Sequence, residues 1–350
     1  MRGLQSDIGA VVLFDGASRP NRALPGAKTR DLSLDVLVLS GGGADGAFGA
    51  GVLMGWSETG ARPIFDIVTG VSTGALIATF AFLGSRYDAQ LKASYTELKG
   101  SDIYDGNGVL AAFTDDALFD NAPLRRTLAK VVDEAVIDAV GAQHRAGRRL
   151  YVATTNLDRG ELLVWDMGAI AASSDPARYD VYREIVRAST AVPGIFTPVF
   201  LKVFTAKAPE IQMHVDGGIK APLLLRDFML RGDQRRKAVY VIANAQLALR
   251  LPPSQVPPRY IVISARATSE LYRGLLYRTL FQAYASTRHA KGEFHLTSIP
   301  EDAAATKDAL QFDATEMAAL FEVGRKVGRA GVKAWQKEPP RLDDLERIYE

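Results

Sequence analysis

Ile67-Val68-Thr69-Gly70-Val71-Ser72-Thr73-Gly74-Ala75-Leu76-Ile77-Ala78-Thr79-Phe80-Ala81-Phe82 is the stretch that decides how this chain is read. The β-branched run Ile67-Val68-Thr69 has the composition of a buried strand. Gly70-Val71-Ser72-Thr73-Gly74 then turns the chain, and the apolar segment beyond it, free of Gly and Pro, predicts a helix to about Leu83. A serine in such a turn, with a strand before it and a helix after it, matches the setting that a G-x-S-x-G nucleophile elbow requires. Gly70 and Gly74 keep side chains away from Ser72, and the helix N-terminus favours negative charge at its Oγ by about 0.3–1 kcal/mol. A Gly-Ser turn leading into a core helix would carry the same letters. The choice between the two depends on the rest of the chain.

Upstream, Leu34-Asp35-Val36-Leu37-Val38-Leu39-Ser40 reads as a strand apolar enough to be buried on both faces. It runs into Gly41-Gly42-Gly43-Ala44-Asp45-Gly46 and then a helix of small residues from about Ala47 to Glu58. Gly55 weakens that helix, but its small residues suit close packing on a sheet. Strand, glycine loop, helix, strand, elbow, helix is a βαβα opening, which favours a mostly parallel sheet covered by helices. Two functions fit three glycines after a strand. A phosphate cradle would need the Walker lysine, or an acidic residue at the proper distance on a second strand, and neither is present. An oxyanion hole needs bare backbone N–H groups beside a reacting carbonyl, and a glycine loop one βα unit before a serine elbow supplies them. A tight turn alone would explain one glycine, hardly three.

The chain has 350 residues with no cysteine, so disulfides, thiol nucleophiles and thiolate metal sites are excluded. Hydrophobic residues make up 47% and charged residues 23%, the composition of an ordinary globular protein. A net charge of +2 gives no reason to expect a nucleic-acid partner. The four histidines, His144, His214, His289 and His295, lack metal-ligand spacing, and no metal or other cofactor is expected. No apolar run approaches the roughly 18 residues of a membrane span. Gly9-Ala10-Val11-Val12-Leu13-Phe14 is too short for the core of a signal peptide. A cytoplasmic or peripherally membrane-associated protein is expected, although an exported chain with its leader trimmed would look the same.

Residues 1–33 read as an N-terminal arm, and 34–350 as one domain without repeats. The motifs lie within 34–225, and further strands and helices fill 226–350. Between Ala89 and Gly147 the chain is mostly helical and polar, with Leu110–Phe119 either a mobile cap or a plain helical insertion. Leu150–Thr155 and Glu161–Trp165 flank an Asp158-Arg159-Gly160 hairpin turn. Tyr182–Ala188 starts a helix. Gln212-Met213-His214-Val215 is an alternating strand that ends in Asp216-Gly217-Gly218. Ala238–Ala243 and Arg259–Ala265 read as buried strands, with a rigid linker bracketed by Pro252-Pro253 and Pro257-Pro258 between them. Thr268–Ala290 reads as a long helix, Glu293–Ile299 as a strand and Ala314–Trp335 as the final helix.

A nucleophilic serine needs a base and an oxyanion hole. Histidine oriented by Asp is the usual base, but Asp216 could act directly if the site positions it well, although its intrinsic pKa of about 4 makes it weak in water. Four segments in this order resemble the patatin-like phospholipases. They are Gly41-Gly42-Gly43, Gly70-Val71-Ser72-Thr73-Gly74, Ala188-Ser189 with Pro193-Gly194-Ile195-Phe196, and Asp216-Gly217-Gly218. The resemblance covers roughly residues 34–225. It implies a three-layer α/β/α sandwich around a mostly parallel sheet, and a Ser72–Asp216 dyad without a catalytic histidine. It also implies metal-independent hydrolysis of phospholipid or another acyl ester, with Gly42 and Gly43 as oxyanion donors. Asp45 departs from the family, which usually has Arg or Lys there. Any help that residue gives to a head group or to the loop must come from elsewhere.

Two other readings stay open at this level. The order Ser72…Asp216…His289 or His295 would permit a Ser-His-Asp α/β-hydrolase. Against it, His289 reads as a solvated helix end and His295 as part of a strand. Alternatively, Arg325, Arg329, Lys333 and Lys337 recur every four residues and would form a basic helix face able to lie on anionic lipid. That suits a lipid-binding protein with a relic site, or a peripheral contact of an enzyme.

Overall fold

The computed structural model describes residues 12–14, 33–106, 117–204, 208–247, 255–303, 309 and 312–341. Most of the N-terminal arm, most of the Leu110–Phe119 segment and Pro252-Pro253 lie outside them. In chain order the elements begin with β1 (Val12–Phe14), β2 (Ser33–Leu39), α1 (Gly46–Glu58), β3 (Ile67–Val71), α2 (Thr73–Leu83) and α3 (Asp88–Thr96). There follow β4 (Asp105–Gly106), β5 (Ala117–Asp120), α4 (Ala122–Val131), α5 (Glu134–Arg145), β6 (Arg149–Asn156) and β7 (Glu161–Asp166). Next come α6 (Met167–Ala171), α7 (Arg178–Ser189), β8 (Gly194–Phe196), β9 (Val199–Phe204) and β10 (Pro209–Asp216). The last are β11 (Arg236–Ala243), α8 (Tyr260–His289), β12 (Glu293–Ser298) and α9 (Ala314–Ala330).

Strands β6, β3, β2, β11 and β12 lie side by side in that order and run parallel. Antiparallel strands β7 and β10 flank β6, and β1 and β9 extend them. The expected hairpin is β6–β7. Part of the expected arm, Val12–Phe14, instead joins the sheet against Leu163–Trp165. Alternation along β2 shows why the sheet is covered on both sides. Leu37 and Leu39 belong to a core shared with α1, α2, α5, α7 and α9, whereas Leu34, Val36 and Val38 belong to another shared with α8 and residues 221–230. The result is the expected three-layer α/β/α arrangement.

Two elements differ from their sequence reading. Arg259–Ala265 is not a buried strand: the segment from Tyr260 is the first part of α8, and Ile263 in it is 51% exposed. β-branched residues favour strands only where packing rewards them, and here the helix continues through them. The final helix stops at Ala330, because Gly331 takes a φ of 74° and a short 3₁₀ turn, Val332–Ala334, follows. The small residues of α1 serve a neighbouring helix more than the sheet. A Cβ on Gly51 or Gly55 would fall 2.0 Å from the Phe321 or Arg325 carbonyl oxygen of α9, so only glycine lets the two helices approach this closely.

Candidate active site

Strand β6 brings the ends of two other strands together. On its edge away from β7 it pairs first with β3, which ends with Val71 opposite Ala153, and then with β10, which ends with Asp216 opposite Thr154. β3 runs parallel to β6 and β10 antiparallel, so their C-terminal ends meet head-on beside consecutive residues of one strand. Ser72, the residue after β3, and Asp216, the last of β10, therefore converge although 144 positions separate them in sequence.

Ser72 sits at φ 57° and ψ −131°, a conformation rare outside glycine that costs on the order of 1–3 kcal/mol. Fixed contacts hold it there. Its backbone N–H donates to Ser189 Oγ at 2.9 Å, and the Ser189 hydroxyl donates to the Ala153 carbonyl at 2.7 Å, which ties the elbow to the end of α7 and to β6. Gly70 and Gly74 are required sterically. A Cβ on Gly70 would meet the Gly74 oxygen at 2.2 Å, and one on Gly74 would meet Ser40 and Leu39 oxygens at 2.6 and 2.7 Å. The Ser72 side chain lies next to the Asp216 carboxylate. Asp216 is 3% exposed, its N–H donates to the Ala191 carbonyl at 2.8 Å, and its Oδ1 accepts the Gly218 N–H at 2.6 Å. Burial pushes this carboxyl up to about 6, while the neighbouring Ser72 side chain and the Gly218 N–H pull it back toward its ordinary value.

The glycine loop closes the same space from the other side. Gly42 and Gly43 have φ of 154° and 56°, and added Cβ atoms would lie 2.2 Å from the Asn244 oxygen and 2.1 Å from the Ala309 oxygen. Asn244, at the end of β11, fixes the loop. Its N–H donates to Ser40 Oγ and its Nδ2 to the Ser40 carbonyl, both at 2.8 Å. Among the described residues, no acceptor pairs with the backbone N–H of Gly42 or Gly43, whereas Ala44 donates to Ala309 and Asp45 back to Gly42. Ser72, Asp216, Gly42 and Gly43 all border one cavity of about 800 Å³, within the ~300–1,000 Å³ range of ligand pockets. Its walls are apolar, with Leu76, Leu124, Val186, Ile195, Phe196 and Leu275 among them. No Lys or Arg lines it among the described residues.

None of the four histidines lines this cavity. His214 is wholly buried, with Nδ1 2.9 Å from Thr154 Oγ1 and its ring tilted against Trp165, and burial lowers its pKa to about 4. His289 is exposed at the end of α8. His295 stacks on Tyr240 with ring centroids 5.0 Å apart and bonds Lys337. His144 lies 3.5 Å from Asp166 at the end of α5. Asp45 stands half-buried at the N-cap position of α1, without a capping hydrogen bond from its side chain, and does not border the cavity. The expected basic face also dissolves. Arg325 and Arg329 both bond Glu58 of α1, while Lys333 and Lys337 lie beyond the end of α9. Among the described residues no helix is long and apolar enough to cross a membrane, and no group of acidic or histidine side chains gathers as a metal site would.

Three contributors to the site were not singled out from sequence: Ser189 as the anchor of the elbow, Asn244 as the anchor of the loop, and the first half of α8, which brings Ser264, Thr268 and Tyr272 to the cavity. In sequence Ser189 stands out only as a member of the Ala188-Ser189 segment. Reading the start of α8 as a strand placed it in the sheet rather than over the site.

The family model described as patatin-like phospholipase matches residues 37–229, more than half of the chain. Among solved structures, VipD from Legionella pneumophila is similar at 13% identity and a TM-score of 0.42, over 85% of this chain and 67% of that one. A chain in the complex of full-length SpcU with full-length ExoU, from the type III secretion system of Pseudomonas aeruginosa, aligns at 15% identity and a TM-score of 0.36. That alignment covers 88% of this chain and 54% of the other, so this chain spans about half of its length. No curated protein matches the sequence.

Proposed function

The chain belongs to the patatin-like phospholipase family, and from that premise we propose that it hydrolyses lipid acyl esters with a Ser72–Asp216 dyad, through an acyl-enzyme and without a metal. The observation that carries this reading is the convergence of Ser72, on its elbow after β3, and Asp216, at the end of β10, on the border of one apolar cavity. Asp216 takes the Ser72 proton as Oγ attacks the ester carbon. The negative charge that develops on the carbonyl oxygen faces the N–H groups of Gly42 and Gly43, which have no other acceptor among the described residues. The intermediate collapses, the alkoxy group leaves with the proton from Asp216, and water then attacks the acyl-enzyme with Asp216 again as base. A carboxyl raised to about 6 by burial is a better base than a solvated one and is still mostly ionised at neutral pH.

The cavity also bears on the substrate. Its walls suit an acyl chain, and with no Lys or Arg among its described lining residues it offers no inner site for a phosphate. We therefore assign specificity to the acyl chain, with phospholipids and neutral fatty esters both accepted. Asp45, outside the cavity, has no part in that choice.

Purified protein incubated with p-nitrophenyl esters of increasing chain length and with phospholipid vesicles tests this. Both classes should be cleaved, Ser72→Ala should cleave neither, and alanine at His214, His289 or His295 should keep most of the activity. A collapse of several powers of ten in one histidine variant, with the fold intact, would point to a triad instead.

A further inference from the structure

Tyr272, on α8, borders the cavity, yet its hydroxyl is shut off from solvent and has no hydrogen-bond partner among the described residues. It stands against the glycine loop beside the nucleophile: a Cβ on Gly41 would fall 2.3 Å from Tyr272 Oη and 3.0 Å from Ser72 Cβ. On its other side the ring edge presses on Gly218, where an added Cβ would meet Tyr272 Cε2 at 2.6 Å and Asp216 Oδ1 at 2.9 Å. The phenol thus bridges the neighbourhoods of Ser72 and Asp216 across two glycines that must stay bare to admit it. Burial, and after it the charge of Asp216, push its pKa up, so it keeps its proton and can only donate. A buried hydroxyl with no acceptor is destabilising in the free protein. At this position the missing acceptor is one that arrives with the substrate.

We propose, on the footing of the acyl-hydrolase reading above, that Tyr272 is a further catalytic residue whose O–H donates a hydrogen bond to the alkoxy oxygen of the bound ester. The carbonyl oxygen is served by the glycine N–H groups, and Tyr272 stands on the side of Asp216, from which the departing oxygen draws its proton. Once Ser72 Oγ has added to the acyl carbon, the intermediate collapses: the carbonyl re-forms, the carbon–alkoxy bond breaks and its electron pair passes to the alkoxy oxygen. That oxygen takes the proton Asp216 received from Ser72. Tyr272 shares its own proton throughout and keeps it.

The test is Tyr272→Phe, assayed by kcat/KM on an alkyl ester and on the p-nitrophenyl ester of the same fatty acid. An alkoxide is a poor leaving group and gains from a donor, while p-nitrophenolate scarcely needs one. The variant should lose about 10- to 100-fold on the alkyl ester, the range of a hydrogen bond to a charged group, and less than about 3-fold on the p-nitrophenyl ester. Its Tm should equal or exceed that of the wild type, because the deleted hydroxyl has no protein partner. Fluorophosphonate labelling of Ser72 should proceed at the wild-type rate. Equal losses on both esters, no loss on either, or a variant that unfolds or no longer labels would each overturn the assignment. Failure of the wild-type protein to cleave any ester would instead count against the proposed function, which the ratio between the two esters does not test.

Discussion

Asp216→Asn should lower ester turnover by about 10⁴-fold, the scale seen when the carboxylate of a catalytic triad is neutralised, and should at the same time make the protein more stable at neutral pH. Asparagine keeps an Oδ1 to accept the Gly218 N–H but cannot take the Ser72 proton. The sign of the stability effect follows from the raised pKa. With a folded value of about 6 against an ordinary 3.8, the protonated carboxyl's contribution is fully present below about pH 4 and is lost as pH rises through 6. Above that, keeping a buried charge costs on the order of 3 kcal/mol, from about two pH units at roughly 1.4 kcal/mol each. Thermal unfolding should therefore show the variant ahead of the wild type at pH 8, with the gap narrowing toward pH 4. The wild-type kcat/KM should rise with pH through an apparent pKa near 6, since the free enzyme needs its base ionised. A variant that retains activity, or that melts lower at pH 8, would contradict both the role and the energetics given to Asp216.

Gly42→Ala and Gly43→Ala should each reduce kcat by about 10²–10³, the loss recorded for an oxyanion donor, and the local geometry makes that a lower bound. Both residues have positive φ, and an added Cβ would press within 2.2 Å of the Asn244 oxygen at Gly42 or within 2.1 Å of the Ala309 oxygen at Gly43. The loop must shift to admit either methyl group, which carries the N–H groups off target. Gly160→Ala is the matched control. Its φ is 65°, nothing lies within 4 Å of the added carbon, and it sits in the β6–β7 turn. It should share the backbone strain and spare the activity. Kinetics on a short-chain ester, with circular dichroism to monitor the fold, would separate the two effects.

The parts of the site that were legible in the sequence are those in which local chemistry and long-range geometry point the same way. Ser72 lies in an elbow whose strand, turn and helix are contiguous, and Gly41–Gly43 follow a strand buried on both faces. Asp216 was visible as a strand end followed by two glycines. Its meeting with Ser72 depends on β3 and β10 sharing one edge of β6, a pairing that no local pattern encodes. The anchors Ser189 and Asn244 act through hydrogen bonds 117 and 204 residues away in sequence. Tyr272 was hidden for a different reason. The β-branched residues at the start of α8 mimic a strand, so the sequence pattern starts the helix that carries it toward Ser72 only at Thr268. Likewise the four-residue spacing of Arg325, Arg329, Lys333 and Lys337 looked like a single helix face. Gly331 ends the helix between the second and third of them, and Glu58 binds the first two.

The central claim is that Ser72 forms the acyl-enzyme. It is tested most directly by treating the native protein with a fluorophosphonate probe and mapping the adduct by mass spectrometry. A single adduct on Ser72, absent in Ser72→Ala and formed far more slowly in Asp216→Asn, is the result expected. An adduct on another serine, or labelling that persists in Ser72→Ala, would contradict it.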